Sequence, residues 1–190
     1  MAQDSTSLGD QLALYTEYRR SGDVDVSPIR GHGVVQVHGP DGQVKQTVEF
    51  TNLITAVGEQ RYAEAGALGS SATVAQPTGM QLGTGTTAPA KTGSGSSIGT
   101  VVANSLVPLA GTPTSSVPSS ARRVTYVCNW AAGTATVNGI GEVALVNQAT
   151  GTQTAAPASS TIARALLSPV VNKGSADSLS ITWHHDLGSA

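Results

Sequence analysis

Residues 44–65, VKQTVEFTNLITAVGEQRYAEA, form the clearest pattern in the chain and decide the interpretation of its fold. Apolar and polar side chains alternate up to Phe50, which is typical of a strand with one buried face. Apolar side chains then recur at helical spacing, and Asn52, or Thr51 beside it, is placed to accept a hydrogen bond from the first helical turn. The stretch therefore predicts a strand followed by an α-helix over residues 53–65.

The other regular segments predict short strands. Gly-Pro-Asp-Gly at residues 39–42 separates two alternating runs and predicts a tight hairpin. Strand patterns lie at residues 34–38, 43–50, 80–83, 122–130, 135–146, 161–168 and 178–185. The last of them places one set of residues on a single face: Leu179, Ile181, Trp183 and His185. About seven to eight strands with one covering α-helix predict a mainly β fold, either a β-sandwich or a small barrel.

Residues 1–31 show no core pattern, and we interpret them as an extended N-terminal arm before a single β-rich domain of residues 32–190. The arm nevertheless carries scattered apolar side chains, which a purely disordered tail does not need. We therefore expect a neighbouring molecule to order it. The candidate partner-binding residues are Leu12, Leu14, Tyr15, Tyr18, Val24, Val26 and Ile29.

The composition argues against several classes of function. Charged residues make up 12% of the chain and the net charge is −2, so no basic surface for nucleic acid is expected. No apolar run reaches the roughly 20 residues of a membrane helix. The N-terminal sequence lacks the pattern of a signal peptide, so we expect synthesis in a cytoplasm. The single cysteine, Cys128, excludes an intrachain disulfide and is expected to be a small buried hydrophobe.

The residues that could carry chemistry do not form a known motif. Residues 83–89, GTGTTAP, lack the Gly-Lys-Ser/Thr sequence of a phosphate loop, so a turn is expected there. His184 and His185 are adjacent on a strand and point to opposite faces, which disfavours a shared metal ion even with His32 or His38 nearby. We expect solvated imidazoles near the chain end. No serine stands in a Gly-x-Ser-x-Gly elbow, so the prediction is no catalytic residue, no metal site and no cofactor.

Glu142 is the one carboxylate among the apolar strands of the C-terminal third, residues 122–168. A carboxylate in such a strand needs a cationic partner, and Arg122, Arg123 and Arg164 are the candidates. We predict an ion pair that stabilises the fold and not a catalytic acid.

The order of several short phrases resembles a known family. The phrases are TNLITAVG at residues 51–58, MQLGTGTTAP at 80–89, IGEVAL at 140–145, ARALLSP at 163–169 and LSITW at 179–183. Together they are similar to the attachment domain at the start of tail-collar fibre proteins of tailed bacteriophages, and to related small tail and decoration proteins. The resemblance covers residues 50–183 and departs from the family at Ala144, where glycine is common.

The resemblance implies a structural role in a tailed-phage virion. On this interpretation the protein is a non-enzymatic subunit that docks on symmetric neighbours as a homo-oligomer. Its partners would be virion proteins of the tail, baseplate or capsid, with no nucleic acid and no membrane span. The predicted structural residues are Asn52, Glu142 and Arg164.

Three placements follow from the resemblance and the composition. The first is a tail, baseplate or fibre-attachment protein, and the alternative is a capsid decoration protein that stabilises the shell. A carbohydrate-binding adhesion module is a second alternative. It needs exposed aromatic side chains, whereas Trp130 and Trp183 fall on predicted core faces.

Overall fold

A computed structural model of the chain describes residues 29–117, 122–148 and 154–188, and these residues form a mainly β fold. The described strands are β1 (Ile29–His38), β2 (Val44–Ile54), β3 (Gly79–Gly83), β4 (Val107–Pro108), β5 (Thr114–Ser116), β6 (Arg122–Trp130), β7 (Val137–Val146), β8 (Thr161–Lys173) and β9 (Ser178–Leu187). They form one antiparallel sheet in the order β4-β3-β7-β8-β2-β1-β9-β6-β5, which curls like half a barrel. The predicted mainly β fold with one covering helix is confirmed, with nine described strands in place of about seven to eight.

Curling brings the two edges of the sheet towards each other. The chain leaves β4 and crosses to the opposite edge, where Leu109 pairs with Cys128 and Ala110 N donates to Val127 O at 2.8 Å. It then continues into β5, which pairs with β6. Residues 107–116 therefore connect both edges of the sheet.

The core is built from the inward-facing residues of most strands. Trp130 and Trp183 are completely buried, as the alternating patterns predict. Cys128 is also fully buried, and burial raises the pKa of its thiol to about 12. Other large buried apolar side chains are Met80, Leu82, Ile140, Leu145, Ile162, Leu179 and Ile181.

The helix begins later than predicted because β2 is longer than its alternating pattern suggests. Leu53 and Ile54 pair with Arg164 and Ala163 of β8, so they belong to the sheet. Pairing with a distant strand is a long-range contact that the local sequence does not reveal. Helix α1 consequently spans Ala56–Leu68.

Thr55 is the residue that caps helix α1. Its Oγ1 accepts a hydrogen bond from Gly58 N at 3.1 Å and donates to Thr161 O at 2.5 Å, while its amide donates to Ile162 O at 3.1 Å. The prediction that Asn52 or Thr51 caps the helix was wrong, because both lie inside β2. The cap therefore fixes the helix to β8 as well as starting it.

Residues 29–31 do not belong to the predicted N-terminal arm, since β1 already begins at Ile29. Ile29 is 7% exposed and pairs with Leu187 of β9, so it belongs to the core and not to the arm. The other candidate arm residues lie outside the described residues: Leu12, Leu14, Tyr15, Tyr18, Val24 and Val26.

Candidate functional site

Glu142 of β7 and Arg164 of β8 form an ion pair from which solvent is excluded, since both side chains are fully buried. Arg164 Nε donates to Glu142 Oε2 at 3.0 Å, and Nη2 donates to the same oxygen. Arg164 Nη1 donates to Gly95 O at 3.1 Å. The predicted pairing of Glu142 with an arginine is confirmed, and its partner is Arg164 and not Arg122 or Arg123.

The other carboxylate oxygen of Glu142 organises the glycine-rich loops around it. The amides of Gly85, Gly99 and Thr100 donate to Oε1 at 2.8, 3.1 and 3.0 Å. A Cβ atom at Gly85 would overlap the carboxylate, so this position requires glycine. The Gly-Thr-Gly stretch that superficially suggests a nucleotide loop thus wraps a carboxylate of the protein itself.

This geometry gives Glu142 no access to a substrate. A general acid or base must reach the proton that it transfers, whereas Glu142 is fully buried and both of its oxygens already accept hydrogen bonds. The contacts instead support the structural interpretation, in which one carboxylate joins two strands and two loops.

His185 of β9 is the centre of a second buried polar cluster. It is fully buried, so the expectation of a solvated imidazole near the chain end was wrong for this residue. Its Nε2 accepts a hydrogen bond from Trp183 Nε1 at 3.0 Å, and its Nδ1 contacts the Tyr62 hydroxyl. Because tryptophan only donates, the imidazole proton is on Nδ1 and is donated to Tyr62. Burial lowers the pKa of His185 to about 3, so the ring is neutral at neutral pH.

Tyr62 connects helix α1 to the sheet through this cluster. Its hydroxyl lies 2.9 Å from the Tyr126 hydroxyl of β6, and burial raises the pKa of both tyrosines. The single Trp183 Nε1 proton is shared between His185 Nε2 and Asn52 Oδ1, each 3.0 Å from the nitrogen. Asn52 is therefore a structural residue of the sheet and not of the helix cap.

The sequence contained a partial signal for this cluster. The alternating pattern already places His185 on the same face as Trp183, which is the core face. What it could not show is that a helix residue, Tyr62, supplies a hydrogen-bonding partner that allows an imidazole to be buried there.

The outer face of the sheet carries a third polar group of residues. His32 of β1 lies directly opposite His184 of β9, on the side of the sheet away from His185. Asp186 accepts hydrogen bonds from Arg123 Nε and Nη2 at 2.7 and 2.9 Å, and these lower the pKa of the Asp186 carboxyl. A shallow depression of about 560 Å³ lies over His32 and His184, with Glu49 in its lining.

Within residues 29–117, 122–148 and 154–188, no three or more His, Cys, Asp or Glu side chains come together in an arrangement suited to a metal ion. The same residues include no helix with the length and apolar character needed to cross a membrane.

No protein-family model, curated protein or solved structure matches this chain. A functional conclusion therefore depends on the contacts described above and on the sequence phrases that they connect.

Proposed function

We propose that the protein is a non-enzymatic structural subunit of a tailed-phage virion, in a tail, baseplate or fibre-attachment position. The starting point is the set of phrases that resembles the attachment domain of tail-collar fibre proteins. The observation that supports the proposal is that these phrases, distant in the sequence, contact one another in the fold. Its partners would then be other virion proteins.

The first phrase contacts both the fourth and the last. Asn52 accepts a hydrogen bond from Trp183 Nε1 at 3.0 Å, which joins TNLITAVG to LSITW. Leu53 and Ile54 pair with Arg164 and Ala163, which joins TNLITAVG to ARALLSP, and Thr55 N donates to Ile162 O at 3.1 Å just before that phrase. At Gly58 a Cβ atom would overlap the same carbonyl group, so glycine allows the helix to approach β8.

The three middle phrases meet at the buried ion pair. Gly85 of MQLGTGTTAP donates its amide to Glu142 of IGEVAL at 2.8 Å, and Glu142 pairs with Arg164 of ARALLSP. Residue types that recur in a fixed order are expected when each one holds the same fold. The resemblance therefore involves the residues on which this fold depends, and this makes a shared structural role the best-supported function.

The non-enzymatic part of the proposal is supported by where the polar and aromatic side chains lie. Glu142 and His185 are fully buried and engaged with other protein groups. In the described part of the chain, every Trp, Tyr and Phe side chain is buried or half-buried. A carbohydrate-binding module normally stacks sugars on exposed aromatic rings, so that alternative has little support from these residues.

The test is quantitative mass spectrometry of gradient-purified particles from an infected or induced culture whose genome encodes the chain. We expect the protein to sediment with intact particles at a fixed and low ratio to the major capsid protein. Partial dissociation of the particles should then release it with the tail fraction.

Two results would contradict parts of the proposal. A copy number close to that of the major capsid protein would place the chain on the shell, as a decoration protein. Absence from purified particles, with the chain free in the soluble fraction, would overturn the virion role altogether.

A further inference from the structure

His32 and His184 have the spacing of two ligands of one metal ion. They face each other across antiparallel strands β1 and β9, with ring centres 5.1 Å apart and ring planes inclined by 47°. Two imidazoles that bind one tetrahedral ion through nitrogens about 2 Å from it have ring centres about 5 Å apart. The sheet therefore fixes the two rings at the separation that such an ion requires.

The Nδ1 atoms of both rings have oriented neighbours. Thr125 Oγ1 lies 3.0 Å from His184 Nδ1, and Asp186 Oδ2 lies 3.8 Å from His32 Nδ1. Asp186 is itself held by two hydrogen bonds from Arg123. A hydrogen-bonded neighbour such as Thr125 orients a histidine that binds metal through Nε2, whereas Asp186 at 3.8 Å contributes only its charge near His32.

The Nε2 atoms, by contrast, have no hydrogen-bond partner within the residues that the structure describes. The depression of about 560 Å³ lies over both rings, and the His32 side chain is 39% exposed. A neutral imidazole with an accessible nitrogen is the form that binds metal ions.

We propose that His32 and His184 together bind a divalent transition-metal ion, of which Zn²⁺ is the representative, through their Nε2 atoms. Imidazole ligands suit Zn²⁺, Cu²⁺ and Ni²⁺, whereas Mg²⁺ and Ca²⁺ prefer oxygen ligands. Two protein ligands leave coordination positions for water or for a group on a neighbouring molecule. The proposal is independent of the virion role.

The chain has suitable internal controls for this site. His38 lies on β1 six positions after His32, hence on the same face, and its Nδ1 lies 3.4 Å from Gly42 O. His185 has both ring nitrogens engaged inside the core, and burial raises the pKa of the Cys128 thiol to about 12. Neither buried group should compete for added metal.

The test is calorimetric titration of the full chain with ZnCl₂ at neutral pH. We expect one ion per chain for the wild type, and affinity at least about tenfold weaker for His32→Gln and for His184→Gln. His38→Gln should bind like the wild type. Thr125→Val removes the neighbour of His184 Nδ1 without removing a ligand, and should weaken binding by about tenfold.

A second measurement identifies which imidazole nitrogens bind the metal ion. In ¹⁵N spectra of the imidazoles, Zn²⁺ should shift the Nε2 signals of His32 and His184 and leave those of His38 and His185 unchanged. Circular dichroism confirms that each variant is folded before titration. Absence of stoichiometric binding by the wild type, or an equal loss in His38→Gln and His32→Gln, would overturn the proposal.

Discussion

Glu142 and His185 are both fully buried polar side chains, but their surroundings differ in charge. Glu142 faces the Arg164 guanidinium and several main-chain amides, whereas His185 is neutral and has only side-chain partners. Loss of a partner leaves a buried charge in the first case and an unpaired neutral group in the second. The Glu142 cluster should therefore be the more sensitive of the two to single substitutions.

The two clusters also hold different parts of the molecule. Glu142 and Arg164 join β7 and β8 to the loops that contain Gly85, Gly95 and Gly99. The His185 cluster attaches helix α1 to the sheet through Tyr62. A substitution in the Glu142 cluster should therefore disturb both the sheet and its loops. A substitution in the His185 cluster should disturb mainly helix α1 and its contact with the sheet.

The largest effect is expected for Arg164→Met, which leaves the Glu142 carboxylate buried without its cation. The free energy of unfolding should fall by about 3–5 kcal/mol. Urea denaturation followed by tryptophan fluorescence measures it, because Trp130 and Trp183 are completely buried in the folded protein.

The control for that prediction is the double variant Glu142→Gln with Arg164→Met. It removes the unpaired charge, so it should recover part of the lost stability. If Arg164→Met alone lowered the free energy of unfolding by less than about 1 kcal/mol, the carboxylate would have another partner. That result would contradict the predicted difference between the two clusters.

The next effect is a pH dependence that comes from His185. Its pKa is about 3 in the folded protein and near 6.5 in the unfolded chain, so only the unfolded chain binds a proton between these values. Stability should therefore fall as the pH drops below 6.5, by about 1.4 kcal/mol per pH unit. Between pH 6.5 and 4.5 the loss should reach about 2–3 kcal/mol.

Denaturation of His185→Gln over the same pH range checks this prediction. The variant should lose most of the slope between pH 6.5 and 4.5, while His184→Gln, whose pKa is also lowered in the wild type, should lose a smaller part. An unchanged slope in His185→Gln would show that another group causes the acid sensitivity.

A third substitution examines how closely the loops pack on the ion pair. Gly85→Ala places a Cβ atom against the Glu142 carboxylate, 2.9 Å from Cδ, and should lower stability by about 2 kcal/mol. Gly66→Ala is the matched control, because no atom lies within 4 Å of the added Cβ and the residue is inside helix α1. It should raise stability by up to about 1 kcal/mol. Equal effects of the two changes would argue against tight packing at Gly85.

The sequence predicted the charged cluster more fully than the neutral one. A lone carboxylate in an apolar strand implies a cationic partner on energetic grounds alone, and Glu142 has one. Which arginine pairs with Glu142 depends on the alignment of β7 with β8. That alignment is a tertiary feature, which the local sequence does not reveal. The sequence left the environment of His185 ambiguous. A histidine can lie in solvent, or in a core that supplies hydrogen-bond partners for its ring nitrogens.

The fold shows the same division between local and long-range information. Alternation identified most strands, because burial of one face imposes a period of two on the local sequence. It misplaced the start of helix α1, because the pairing of Leu53 and Ile54 with β8 extends β2 across residues whose local pattern favours a helix. The cap at Thr55 follows from that pairing and not from the capping preference of Asn52.

The smallest predicted changes in stability distinguish Tyr62 from Tyr126 within the His185 cluster. The direction of donation runs from Trp183 to His185, from His185 to Tyr62, and from Tyr62 to Tyr126. Tyr62→Phe removes two of these hydrogen bonds and leaves the His185 Nδ1 proton without an acceptor. It should lower stability by about 1–2 kcal/mol and speed amide exchange within helix α1.

Tyr126→Phe provides the comparison, because it removes one hydrogen bond and leaves His185 paired. It should lower stability by about 1 kcal/mol or less, with little change in helix exchange. Tyr62→Phe should have the larger effect with either tautomer of His185. If Nδ1 carried no proton, Tyr62 would donate to His185 and accept from Tyr126, and Tyr62→Phe would leave Nδ1 as an unpaired acceptor. A ¹⁵N spectrum that identifies the protonated ring nitrogen decides between the two arrangements. Protonation of Nε2 would contradict the direction derived from Trp183.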